Sequence, residues 1–205
     1  MSALRCRKRR NRHCILTSGC TTWYSAASTG WGLIALSIQA ELGLIEKTVA
    51  YDLAITTIRS IDANWPRNSI SGFFNHWCHS NFVGAGEFST IDSAIMVAGA
   101  LFAGNYFGGG MKIEAEKLFA TPNWGDTIGS SDVVDIWMVS NANGGYSAPT
   151  HMFNEYAILG AMAKRAENID IRKVIFNFQT LKSKSTTSLN KEINFLEFFS
   201  YFLSI

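Results

Sequence analysis

Apolar residues recur at helical spacing through most of the middle of the chain. Between Ala26 and Leu42 they include Leu33, Leu36 and Ala40, and Gly43 supplies a stop. Residues Glu46 to Ile61 follow with Val49, Leu53, Ile58 and Ile61 on one face, and Trp65-Pro66 breaks the run. Ser89 to Phe107 is the clearest helix, rich in Ala, with small Gly99 and Gly104, and closed by Gly108-Gly109-Gly110. Shorter helices are expected over Lys112–Phe119, within Asp126–Val139 and over Asn154–Glu167. Gly72 to Trp77 reads as an aromatic loop or short extended piece. No stretch sustains a period of two, so the pattern predicts an all-α protein built from helix pairs joined by Gly- and Asn-rich loops. The nearly all-apolar helix from Ala94 would be its inner helix.

Composition narrows the class. A chain of 205 residues with 47% hydrophobic and 17% charged residues has the length and the apolar content for one packed domain. Its net charge of +2 conceals an asymmetry. Residues 1–14 carry six basic side chains and no acid, and residues 171–205 carry a net +3, which leaves the middle at −7. That acidic middle also holds all six tryptophans, so no nucleic-acid partner is expected for it. The longest nearly apolar stretch, Ala94 to Phe107, is too short for a bilayer span, and no membrane partner is expected. The four cysteines, Cys6, Cys14, Cys20 and Cys78, form neither a disulfide framework nor a finger-type zinc site.

The ends differ from the middle. Residues 1–22 read as a basic leader or an irregular start: the apolar run between His13 and Cys20 is short for a secretory leader, and Leu16 to Cys20 faintly matches a lipoprotein cleavage site. Residues 169–205 read as a divergent tail, because Ile171 to Ile205 has no Gly, Ala or Trp. It is either a terminal amphipathic helix or sequence foreign to the parent fold, and the second is preferred. Residues 23–168 form the expected domain.

Candidate chemistry centres on carboxylates beside aromatic segments. Ser89-x-x-Asp92 before an apolar run matches a capping box, which gives Asp92 a structural reading as well as a functional one. Glu87 falls outside that box. Glu155 follows Asn154 and can also be read as a first-turn acid. The functional reading needs two carboxylates in one aromatic-lined cleft, as glycoside hydrolysis does. Phosphate-loop, serine-hydrolase and zinc-protease motifs are all missing. His76-Trp77-Cys78-His79 holds metal-ligand types without a carboxylate at matching spacing, so an aromatic-lined loop is preferred there and neither a metal nor a cofactor is expected.

Five blocks carry a resemblance: Ser28 to Leu33, Gly72 to Trp77, Gly86 to Ala94, Ala98 to Phe107 and Phe153 to Tyr156. In that order and spacing the chain resembles the glycoamylase-like family of glycoside hydrolases, which includes bacterial endo-β-1,2-glucanases and a domain of cyclic β-1,2-glucan synthases. The resemblance implies an (α/α)6 toroid, of which residues 23–168 would supply about half, and a β-glucan partner bound in a central groove. It implies inverting hydrolysis in the glucanase members. Glu155, Glu87 and Asp92 match the acidic positions, Glu155 being the preferred catalytic carboxylate. Phe74, His76 and Trp77 match the sugar-contacting loop, and Trp124 and Tyr146 complete the expected substrate-contacting set. Asn75 stands where an aromatic is usual, and Phe153 where Tyr is usual. The family's domain needs roughly twice this length to close its ring. The alternatives are therefore a carbohydrate-binding homologue without catalysis, or a half-domain that associates through exposed helix faces. A periplasmic or extracellular location follows from the resemblance alone.

Overall fold

The computed structural model describes residues 23–128, 136–150 and 157–167. Four helices fall close to where the apolar spacing puts them: α1 (Ala26–Glu41), α2 (Lys47–Asn64), α3 (Thr90–Phe107) and α4 (Gly109–Phe119). A further helix, α5, runs over Ala157–Glu167. Local chemistry sets the ends. Ser25 caps α1 by accepting from the Ser28 N–H, and Ser89 caps α3 by accepting from the Asp92 N–H. Trp65, held extended before Pro66, ends α2.

The all-α expectation is corrected by a five-stranded antiparallel sheet in sequential order: β1 (Trp23–Ser25), β2 (Asn75–His79), β3 (Gly84–Ser89), β4 (Ile136–Ser140) and β5 (Tyr146–Thr150). The aromatic segment from Gly72 thus becomes β2. The helix expected within Asp126–Val139 is replaced, among its described residues, by a 3-10 turn at Gly125–Thr127 and by β4. β4 pairs with β5 across an Asn141 to Gly145 turn, with Ile136 opposite Thr150 and Ser140 opposite Tyr146. The four-residue apolar run Ile136 to Val139 is compatible with strand or helix, and pairing across a Gly-Gly turn decides for strand.

α3 lies at the centre, with α1 and α4 packed along it. Ala94, Met96, Val97, Ala100 and Ala103 are fully buried, which is the inner-helix role its composition predicts. The α1–α3 contact depends on two glycines meeting backbone to backbone. A Cβ on Gly30 would stand 2.3 Å from the Ile95 carbonyl oxygen, and one on Gly99 would stand 2.2 Å from the Gly30 carbonyl oxygen. The close crossing fixes the N-terminal half of α1, and with it Trp31, beside the start of α3. Among the described residues, no helix is long and apolar enough to cross a membrane.

Candidate active site

β3 runs directly into α3, with Ser89 ending the strand and capping the helix. Glu87 and Asp92 therefore flank one cap, the first on the strand and the second in the first helical turn. Half of the capping box forms: the Ser89 hydroxyl accepts from the Asp92 N–H at 3.2 Å and donates to Asp92 Oδ2 at 2.5 Å, while the Ser89 N–H donates to the Phe74 carbonyl at 3.1 Å instead of to Asp92. Asp92 thus stands at the positive end of α3, where an anionic side chain is favoured.

A bulge brings the third residue in. Asn75 pairs with Phe88 and Trp77 with Ala85, so two residues of β3, Gly86 and Glu87, face the single His76 of β2. Gly86 takes φ +77°, a conformation that glycine supplies without strain. Asn75 secures the bulge: its Nδ2 donates to the Gly86 carbonyl at 3.2 Å, while the Trp65 indole N–H donates to the Asn75 carbonyl at 2.9 Å. Its amide does work here that an aromatic ring could not.

His76 lies between the two acids. Its Nδ1 is 3.0 Å from Glu87 Oε1, a hydrogen bond, and its Nε2 is 3.6 Å from Asp92 Oδ1, an ion-pair distance. The Glu87 side chain is 42% exposed and that of Asp92 only 14%. Burial alone would push the Glu87 carboxyl up, but a bond from its own backbone N–H and the bond and charge of His76 outweigh that and hold it below its ordinary value. One donor atom each from His76, Glu87 and Asp92 lie within 4.8 Å of one another. The two ring nitrogens of His76 face different carboxylates, so the imidazole bridges the acids.

These three side chains line a cleft of about 470 Å³ whose other walls are Trp31 of α1, Ile91 and Ile95 of α3, and Met138 and Val139 of β4. Trp31 is 57% exposed. It belongs to the Ser28 to Leu33 block but is not one of the substrate contacts expected from the sequence. Its sequence signal is a large aromatic side chain set between two helix glycines, Gly30 and Gly32.

The remaining expected contacts separate. Trp77 is half-exposed and stacks on His76 with ring centroids 4.8 Å apart. Phe74 is fully buried, its N–H donating to Ser93 Oγ, and is not among the residues lining the cleft. Trp124 is likewise outside the cleft lining. It is buried between Phe73 and Phe119 with its indole N–H donating to the Phe119 carbonyl. Tyr146 is half-buried on β5 with its ring against Phe73, on the core side and not among the residues lining the cleft. Glu155 lies outside the described residues. Within the His76 to His79 cluster, His79 bonds Asn81 instead of converging with His76, and burial pushes the Cys78 thiol up to about 11.

Solved structures share this fold. An endo-β-1,2-glucanase from Chitinophaga pinensis, in complex with sophorotriose and glucose, matches with a TM-score of 0.61 at 16% identity, over 71% of this chain and 37% of its own. A Bacteroides uniformis protein named "putative glucoamylase" matches with a TM-score of 0.66 at 18% identity, over 78% of this chain and 42% of its own. A β-1,2-glucanase from Parabacteroides distasonis matches with a TM-score of 0.58 at 13% identity, over 71% of this chain and 23% of its own. The chain thus has the fold of part of these glucanase and glucoamylase-like structures, as the sequence blocks implied, and spans less than half the length of each. No protein-family model and no curated protein matches it.

Proposed function

We propose that the chain carries part of a glycoside hydrolase-like domain that acts on a β-glucan of the β-1,2-linked type. The observation that supports this best is the cleft, where two carboxylates, a histidine and an exposed tryptophan meet in a fold shared with two β-1,2-glucanases. A Trp face with acceptor oxygens beside it suits a neutral polyhydroxyl ligand, which offers both C–H faces and hydroxyl donors. In this reading residues 23–168 are one part of an (α/α)6 toroid. Hydrolysis is by general acid/base chemistry: one carboxylic acid protonates the leaving glycosidic oxygen, and a water that gives its proton to a base attacks the anomeric carbon.

Glu155 is the proposed acid. Glu87 and Asp92 supply the charged, accepting side of the groove. One carboxylate oxygen of each lies within 4.8 Å of one of the other, whereas the carboxyls of an inverting pair stand about 6.5–9.5 Å apart to admit a water. The two therefore act as one pole of the site. The test is reducing-end release from linear β-1,2-glucan: Glu155→Gln and Glu87→Gln should each abolish it in a chain that still folds, and undiminished turnover in Glu155→Gln would remove that residue from the mechanism. The closeness of Glu87 and Asp92 also favours a second reading, glycan binding without turnover. Calorimetric binding of the glucan with no new reducing ends would select it. For the exposed apolar residues Ile38, Leu42, Leu44 and Val49 of the α1–α2 hairpin we propose contact with a second copy; a monomer by light scattering at high concentration would count against this.

A further inference from the structure

We propose that His76 is a positioning residue: it clamps the Glu87 carboxylate beside Asp92 and so makes the pair a fixed hydrogen-bond-accepting wall for sugar hydroxyls, leaving proton donation to a carboxyl elsewhere. The sugar in this statement rests on the proposed function; the clamp does not. Three independent features support the clamp. The bulge sets Gly86 and Glu87 opposite His76 alone, and Asn75 ties that bulge to the strand beside it. Both ring nitrogens of His76 are directed at carboxylates, Nδ1 at Glu87 and Nε2 at Asp92. The Trp77 ring stacks on the imidazole with an interplanar angle of 18°, which limits its rotation.

Such a bridge gives the two acids different freedoms. Asp92 is held on both sides, by Ser89 at Oδ2 and by His76 at Oδ1, and is the more buried of the two. Glu87 is more exposed to the cleft and is held through Oε1. A carboxyl that donates a proton at neutral pH needs its pKa raised, and Glu87 is moved the other way, with His76 one of the causes. The groups facing His76 are Glu87 from β3 and Asp92 from α3. The residues that α1 and β4 bring to the cleft, Ala27, Trp31, Met138 and Val139, do not titrate.

The test uses the full chain labelled with carboxyl-13C glutamate, with the Glu87 signal assigned by its loss in Glu87→Gln. His76→Ala should move the Glu87 titration midpoint upward. His76→Asn, whose amide nitrogen falls near Nδ1, should keep the midpoint closer to wild type than His76→Gln, whose amide falls near Nε2. Affinity for a β-1,2-linked trisaccharide should drop about 10- to 100-fold in His76→Ala, the scale of loss that follows misplacement of a group in a site. If His76→Ala does not fold, the Asn and Gln variants carry the comparison. An unchanged midpoint in His76→Ala, or equal midpoints in the Asn and Gln variants, would overturn the clamp. A midpoint that moves as expected in a chain that binds no β-glucan would uphold the clamp and overturn the carbohydrate reading.

Discussion

Replacing Gly99 by alanine tests the α1–α3 crossing on which the cleft depends. The added Cβ would stand 2.2 Å from the Gly30 carbonyl oxygen, 2.6 Å from its carbon and 2.7 Å from its Cα. All three are backbone atoms, so no side chain can swing aside, and the helices must separate by about 1 Å to restore contact distance. Overpacking of a core costs typically about 1–3 kcal/mol, and a clash with rigid backbone belongs at the upper end. The better helix propensity of alanine returns about 1 kcal/mol. The net expectation is a loss of about 2 kcal/mol, a drop in Tm of about 4–8 °C for a chain of this size. Thermal unfolding followed by circular dichroism reads it. Gly110→Ala is the control, because its Cβ would find only the Tyr51 hydroxyl, at 3.6 Å. A Gly99→Ala protein as stable as this control would refute the crossing as described.

Three further outcomes follow from the site. On the proposed function, Trp31→Ala should weaken β-glucan binding by about 1 kcal/mol, roughly fivefold, with unchanged melting, because an exposed indole contributes a face and not a core; calorimetry measures it. Phe74→Ala should cost about 3–5 kcal/mol in chemical denaturation, whereas Trp77→Ala, on a half-exposed ring, should cost far less; equal losses would contradict the burial that separates them. The depressed Glu87 carboxyl stabilises the fold fully above its ordinary unfolded value, and that contribution is lost as pH falls through the lower folded value. Melting temperature against pH should therefore fall less steeply in Glu87→Gln than in wild type through the acid range.

The helices were legible because their signals are local. Ser89 and Asp92 name the start of α3, Pro66 marks the end of α2, and the apolar content of α3 announces an inner helix. The sheet was not legible for the opposite reason. Its strands are three to six residues long, and β3 reads Gly-Ala-Gly-Glu-Phe-Ser, with neither alternation nor β-branched residues. They are held by pairing with neighbours and by glycine turns, a cooperative property that no single strand displays. The places of the aromatic residues were hidden for the same reason. Composition shows that Trp31, Trp77 and Trp124 are large and apolar, but which face of which element carries each decides between cleft wall, histidine partner and core.

The acids fall between these cases. Glu87 and Asp92 stood out by motif, yet a spacing of five residues across a strand–helix junction does not say how far apart two carboxylates lie. Their separation depends on a bulge, the bulge on the left-handed Gly86, and the histidine between them on which residue of β2 the bulge leaves opposite. A one-residue slip of β2 against β3 would turn His76 to the other face of the sheet and leave both acids in place. The chemistry of the cleft therefore rests less on the presence of its carboxylates than on the register of one hairpin. Asn75, whose side chain donates to Gly86 and whose carbonyl accepts from Trp65, is the residue that fixes it.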